Sequence, residues 1–357
     1  MAGEIPHPRQ QEALFGHQSA EQRLLKSALS GRLHHGWVIS GPPGIGKATL
    51  AYRFARFLLA DGPSAGDRGL FGEPEPPNDL GVVADHQAAH LVTSGAHPDL
   101  HTAERELDGK TKKLKQNIAV EQVRAFSEFF HRTPAMGGWR CAIVDGAETL
   151  NQFGQNALLK VLEEPPPNAI LLIVTARPGL LLPTIRSRTQ KLALDPLNEE
   201  TVVKLLAVRA PELPYENAVS LARLSEGSIG RALTLHEIGG LDTYRGLLDL
   251  LSTAPDIDFQ RVHRLGDQLS RSAEESGYRV FYELLLWWLA RLSKYAAGGP
   301  RPLDIIDGEG DLIDRFLAMG RLDRWFALWE KTAALFAQAD RHNLDRKQTI
   351  VNAFAQF

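Results

Sequence analysis

Short runs of consecutive apolar residues alternate with segments of helical periodicity from about residue 12 to residue 194, after which the strand-like runs stop. Gly36–Ser40, Arg140–Val144, Ala169–Thr175 and Gln190–Leu194 are brief, apolar and bounded by Gly, Pro or charged residues, as strands buried on both faces are. Between them, Glu21–Ser30, Lys47–Leu59, Val120–Phe130 and Gln152–Glu164 repeat apolar residues every three or four positions and are expected to be helices. The last runs into Pro165-Pro166-Pro167, which cannot continue a helix. This alternation predicts an α/β domain on a parallel sheet.

Beyond Pro196 only helical periods remain. Asn198–Ala210, Pro214–Ser225 and Ser228–Glu237 read as three short helices, with Gly227 capping the second and Gly239-Gly240 as a joint. From Leu241 onward every periodic segment is helical, including Asp258–Ser272, Tyr278–Tyr295 and Leu322–Ala339, with an internal loop at Gly298–Pro302. The expected division is therefore 1–195 (α/β), 196–240 (small helical domain) and 241–357 (all-helical domain). The Gly- and Pro-rich stretch between Gly62 and Leu80 reads as a surface insertion.

Composition narrows the function classes. A net charge of -3, with 43% hydrophobic and 23% charged residues, describes an ordinary globular chain and gives the whole molecule no electrostatic reason to bind nucleic acid or anionic membrane. The single cysteine, Cys141, excludes an internal disulfide and any zinc site built from several thiolates. No apolar signal core occupies the first twenty residues, and the run Leu284–Ala290 is too short to span a bilayer, so a soluble cytoplasmic protein is expected.

The stretch Gly41-Pro-Pro-Gly-Ile-Gly-Lys-Ala-Thr49 lies between a predicted strand and a predicted helix, as a phosphate-binding loop requires. Gly41, Gly44 and Gly46 let backbone N–H groups converge on phosphate oxygens, the helix adds its positive end, and Lys47 reaches the terminal phosphates. The residue after the lysine should carry a hydroxyl for the magnesium ion, and here it is Ala48. Thr49 does not substitute for it, because one helical step is a rotation of about 100°. Asp145 ends an apolar strand, where a carboxylate supports the metal of such a site; the same residue is also suited to capping the following segment. Gly146 stands where a general base is needed, and Glu148 lies three positions on. The spacing therefore keeps a cradle and loses the hydrolytic chemistry.

Leu14-Phe-Gly-His17, Gly31-Arg-Leu-His-His35, the segment 44–59, Gly95-Ala-His-Pro-Asp99, Asn156–Pro166 (NALLKVLEEPP) and Leu182–Arg188 (LPTIRSR) resemble the delta-prime family of bacterial DNA polymerase III clamp-loader subunits, most densely over 12–190. The resemblance implies an AAA+ fold of three parts: a P-loop module, a helical lid and a helical collar that joins the subunits into a five-membered ring. It further implies a role in loading a sliding clamp on primed DNA, with motor subunits of gamma/tau type and a delta subunit as partners and no membrane. It implies weak or no binding of ATP or ADP at the chain's own site, and membership of a polymerase complex in place of intrinsic catalysis. Arg188 occupies the position from which that family supplies an arginine to a neighbouring subunit's ATP, with Arg186 as the fallback. Thr175 occupies the place of a polar γ-phosphate sensor, a role it shares with the simpler one of a β-branched strand residue. Arg231 falls one position late for the lid's sensor arginine. The rival readings are an autonomous P-loop ATPase of the motor-subunit type, a small-molecule kinase built on the same P-loop, and a P-loop scaffold outside replication.

The family's four-cysteine zinc module has no counterpart before Cys141, and no zinc is expected. His86, His90, His97 and His101 lie in that neighbourhood, His86 and His90 at helical spacing, and surface histidines explain them as well as a replacement site does. Lys110–Lys115 (KTKKLK) reads as a solvated basic tip or a contact for phosphates. Trp287, Trp288 and the segment Trp325–Phe336 supply core to the collar and candidate partner surface.

Overall fold

The computed structural model describes residues 6–60, 77–110, 114–271 and 275–357. Most of the expected insertion after Gly62, and Thr111–Lys113 of the basic stretch, lie outside the described residues.

The chain divides into two compact units, Gly3–Thr201 with Ser228–Gly230, and Val202–Gly227 with Arg231–Phe357. In the first, the order is α1 (Gln18–Leu29), β1 (Gly36–Ser40), α2 (Lys47–Ala60), α3 (Gln87–Ser94), β2 (Leu100–Ala103), α4 (Val120–His131), β3 (Arg140–Asp145), α5 (Gln152–Glu163), β4 (Ala169–Thr175), α6 (Pro183–Ser187) and β5 (Gln190–Ala193). The five strands form one parallel sheet in the order β2-β3-β4-β1-β5.

The three interior strands are the continuous apolar runs, because helices cover both faces and no face is left for polar residues. Successive side chains feed opposite cores. Trp37, Ile39, Cys141, Ile143, Leu172 and Val174 pack with Leu24, Leu50, Phe54 and Leu58 of α1 and α2. Val38, Ala142, Val144, Leu171 and Ile173 pack with Phe126 and Phe130 of α4 and Leu158 of α5 on the other side. The edge strand β2 and the helix α3 are additions to the sequence expectation. Leu-His-Thr-Ala offers no apolar run, since an edge position half open to solvent does not demand one.

The second unit is helical: α7 (Glu199–Arg209) and α9 (Ile229–Glu237) each begin in the first unit, and α8 (Tyr215–Leu224), α10 (Gly240–Leu251), α11 (Phe259–Arg271), α12 (Glu275–Ala296), α13 (Glu309–Met319), α14 (Leu322–His342) and α15 (Arg346–Phe354) complete it. α8 closes on a cap at Ser225, ahead of the expected Gly227, after which Glu226 and Gly227 both take left-handed conformations. Trp288 and Trp325 are fully buried around Phe316, with ring separations of 5.0 and 5.4 Å. Phe326 and Trp329 stack on α14, Phe326 half exposed. Among the described residues no helix is long and apolar enough to cross a membrane.

Candidate functional site

β1 brings the chain to the carboxyl edge of the sheet at Ser40, and the loop from Gly41 turns there into α2. Gly41 has φ 149°, and a Cβ on it would stand 2.4 Å from the Leu194 carbonyl oxygen, so the loop leaves the sheet along a path open only to glycine. Gly44 and Gly46 also take positive φ, 73° and 105°. Four successive loop carbonyls are engaged. Pro42 accepts from Lys47 Nζ at 2.5 Å, Pro43 from Ser228 Oγ at 2.8 Å, Gly44 from the Gly230 N–H at 2.9 Å and Ile45 from His17 Nε2 at 2.7 Å. Gly230 comes so near that a Cβ there would lie 2.9 Å from Gly44 Cα. With its carbonyls tied, the loop is shaped by the protein itself, and backbone N–H groups of such a nest converge on its concave side, where an anion fits.

Asp145 ends β3, Thr175 ends β4, and Thr175 is in register with Ser40 of β1. The sheet therefore brings Lys47, Thr175 and Asp145 to one edge, with Asp145 two strands, about 10 Å, from the loop. Thr175 is fully buried and its Oγ1 accepts from the Arg177 N–H at 3.1 Å. Thr49 is half-buried in the first turn of α2.

Glu148 joins this edge, which its spacing in sequence does not foretell. Gly146, at φ 81°, reverses the chain into a 3₁₀ turn over Ala147–Thr149. The Glu148 carboxylate then accepts from the Ala176 N–H at 3.1 Å and faces Lys47. Burial lowers the Lys47 amine below its ordinary range, opposed by Glu148 and then Asp145. The Asp145 carboxyl is pushed up to about 6, first by burial and then by Glu104, with His7 and Lys47 opposing. Glu104 itself is lowered, chiefly by its 3.0 Å hydrogen bond with His7.

A magnesium ion, which a hydrolysing P-loop implies, does not fit these residues. Ala48 packs its methyl against the apolar core where a ligand oxygen is needed, one Glu148 oxygen is spent on the Ala176 N–H, and Gly146 has no side chain to activate water.

The raised Asp145 carboxyl has a stability consequence. Below 3.8, its ordinary value, the group is protonated folded or unfolded and costs nothing; above about 6 it is ionised in both states and the full cost of burying charge is present. Asp145→Asn is therefore expected to stabilise the protein by about 1–2 kcal/mol at pH 7.5, discounted for solvent screening, and by nothing at pH 3.5. Urea titrations across that range check it.

Arg188 lies at the other end of the sheet. It follows α6 and precedes β5, whose Gln190 is in register with Trp37 at the start of β1. Its carbonyl oxygen is 3.5 Å from the Cβ position of Gly36, the first residue of β1. The four paired residues from Trp37 to Ser40 separate this amino edge from the phosphate loop by about 13 Å. Its guanidinium pairs with Glu163 at 3.1 Å and donates to the Thr184 carbonyl at 3.3 Å. Arg186 is half-buried, with its Nε lacking a hydrogen-bond partner. In the second unit, Arg231 forms an ion pair with Glu226 at 3.7 Å.

Three of the four histidines make local contacts. His86 caps α3 by accepting from the Ala88 N–H, and His90 is exposed on that helix. His97 is buried and accepts from the Asp99 N–H, and His101 packs against Phe126 and Phe129. Burial lowers the pKa of both His97 and His101.

Residues 16–198, which include the loop, Asp145, Thr175 and Arg188, match the family described as DNA polymerase III, delta subunit. This chain belongs to that family. This delta-family chain is 34% identical over 220 residues to DNA polymerase III subunit delta' of Pseudomonas aeruginosa (61% of each chain), and 32% identical over 216 residues to that of Escherichia coli K12 (60% of this chain, 58% of the relative). The matches thus span about three-fifths of those relatives. It is also 34% identical over 184 residues to DNA polymerase III subunit gamma/tau of Mycobacterium tuberculosis, covering 50% of this chain and 27% of the relative. A gamma subunit-related protein from Thermotoga maritima aligns structurally over 95% of this chain and 97% of its own, at 17% identity and a TM-score of 0.39.

Proposed function

We propose that this chain is a largely non-hydrolysing ring member of a DNA polymerase III clamp loader, of the delta-prime type. It completes a five-membered ring with gamma/tau-type and delta subunits. It also places Arg188 against the ATP of a neighbour, coupling that nucleotide to opening of a sliding clamp and its release on primed DNA. The observation that carries this reading is the separation of the two halves of a phosphate-handling site: the cradle opens at the carboxyl edge of the sheet, and Arg188 stands at the amino edge, out of reach of its own loop. A guanidinium introduced from outside neutralises charge on a transferring phosphoryl group, and is of use only if another molecule's phosphate meets it. Family membership and the identity to delta-prime relatives support the same assignment.

Within this reading, residues 1–195 form the AAA+ P-loop module, 196–240 the lid and 241–357 the collar, with the stacked Phe326 and Trp329 as a partner surface. The chain's own loop binds ATP or ADP weakly or not at all, and Thr175, if it meets a phosphate, does so without hydrolysis. The protein works in the cytoplasm as part of the polymerase complex.

The similarity to gamma/tau subunits favours a second reading, an autonomous ATPase of the motor type. Steady-state phosphate release by the isolated chain separates the two. The expected result is background release, unchanged by Ala48→Thr, because restoring the hydroxyl leaves Gly146 in the place of the base. Turnover at motor-subunit rates by the isolated chain supports the second reading instead.

A further inference from the structure

We infer that Glu163 is a positioning residue for Arg188, fixing the guanidinium at the amino edge of the sheet before a neighbour's phosphate replaces it. The inference rests on the trans role proposed for Arg188 and specifies how this chain prepares it.

Glu163 is the last residue of α5, with Glu164 as the cap and Pro165 following. A carboxylate there opposes the partial negative charge of a helix C-terminus, so local helix energetics disfavour it. A local rule broken in this way calls for a compensating contact. The contact is Arg188, whose Nη2 lies 3.1 Å from Glu163 Oε1 while its Nη1 donates to Thr184 O at 3.3 Å.

Both partners are held by the backbone of rigid elements. The end of α5 is fixed to the strand entry by a 3.1 Å hydrogen bond between His35 Nε2 and the Leu162 carbonyl, and Leu162 Cδ2 lies 2.7 Å from the Cβ position of Gly36. The Arg188 N–H donates to the Ile185 carbonyl at 3.1 Å, its own carbonyl oxygen lies 3.5 Å from the Cβ position of the same Gly36, and Thr189 Oγ1 donates to the Ile185 carbonyl at 2.9 Å. The separation of the two backbones is therefore set by the sheet, and the side chains need only span it.

The Arg188 side chain nevertheless remains 40% exposed, and its guanidinium has five N–H donors, of which the two contacts use two. Its outer donors stay available to an incoming anion. A phosphate carries charge enough to displace the single carboxylate, while the Thr184 carbonyl keeps the side chain in place. Ordering a long arginine before docking removes part of the rotamer entropy lost on binding.

The test is a reconstituted complex carrying Glu163→Ala, Glu163→Asp, Arg188→Ala or Glu163→Ala with Arg188→Ala, with assembly read by size exclusion and ATP turnover measured with clamp and primed DNA. An exposed pair biases orientation no more than about fivefold. Because the other interfaces keep their turnover, Glu163→Ala is expected to lower total kcat by about 1.5- to twofold, less than Arg188→Ala does, with KM for ATP unchanged, Glu163→Asp to recover part of the loss, and the double variant to match Arg188→Ala alone. An unchanged or increased kcat for Glu163→Ala overturns the inference, as does a loss that persists in full on the Arg188→Ala background. If Arg188→Ala itself leaves turnover intact, the trans role fails and this inference falls with it, a result distinct from the previous two.

Discussion

Arg188→Ala, reconstituted with motor subunits, clamp and primed DNA, is expected to assemble normally and to lose at least about threefold of the stimulated ATP turnover. At the one interface it serves, an arginine supplied in trans is worth about 10³-fold or more in rate; interfaces served by other subunits keep their own contribution, which limits the fall in the total. Normal assembly is expected because the side chain is partly exposed and its contacts are one ion pair and one long hydrogen bond, both at the surface. Arg188→Lys should not restore turnover, because an ammonium offers a point charge where the phosphoryl oxygens are met by a planar fork. Size exclusion and phosphate release, run on the same preparations, check both parts.

Glu309→Ala is expected to cost the helical unit about 3–5 kcal/mol, a larger change in stability than Asp145→Asn brings and of the opposite sign. Glu309 is fully buried at the start of α13 and serves three donors: Tyr244 Oη at 2.5 Å, the Ile305 N–H at 2.7 Å and the Arg291 guanidinium. Arg291 also lies over the Trp287 ring at 4.5 Å and donates to the Leu303 carbonyl. Removing the carboxylate leaves a nearly buried cation without its counter-charge and two buried donors without an acceptor. Glu309→Gln keeps one acceptor oxygen but removes the counter-charge and turns an amide N–H₂ toward one of the donors, so it should cost a comparable amount. The urea midpoint of the transition that reports on the helical unit measures both. This cluster ties α10, α12 and α13 together, so the loss should appear in that unit and leave the P-loop unit's midpoint in place.

The parts of the fold legible in the sequence were those whose residues have no choice. β1, β3 and β4 are buried on both faces and had to be apolar throughout, so their bounds could be read to within a residue. The loop from Gly41 to Lys47 was equally legible, because its glycines meet backbone constraints that no other residue satisfies. The edge strand β2 and the five-residue α6 were not, since each is short and half solvated and leaves no periodic signature. At the candidate site, the missing hydroxyl at Ala48 and the missing base at Gly146 could be read directly. The direction of Glu148 could not, because it depends on the left-handed turn at Gly146 that folds the next residues back toward Lys47. The engagement of Pro43 by Ser228, 185 residues away in sequence, and the pairing of Arg188 with Glu163 are long-range contacts of polar residues, and residue type alone does not specify such partners.

Comparing Lys47→Ala with Arg188→Ala in the same reconstituted complex, by stimulated ATP turnover, separates a chain that serves a neighbour's nucleotide from one that turns over its own. Lys47→Ala removes the cation of the chain's own cradle and is expected to leave turnover close to that of the unaltered complex, while Arg188→Ala lowers it at least about threefold. A Lys47→Ala complex as impaired as the Arg188→Ala complex, or an Arg188→Ala complex with full turnover, would contradict the trans role.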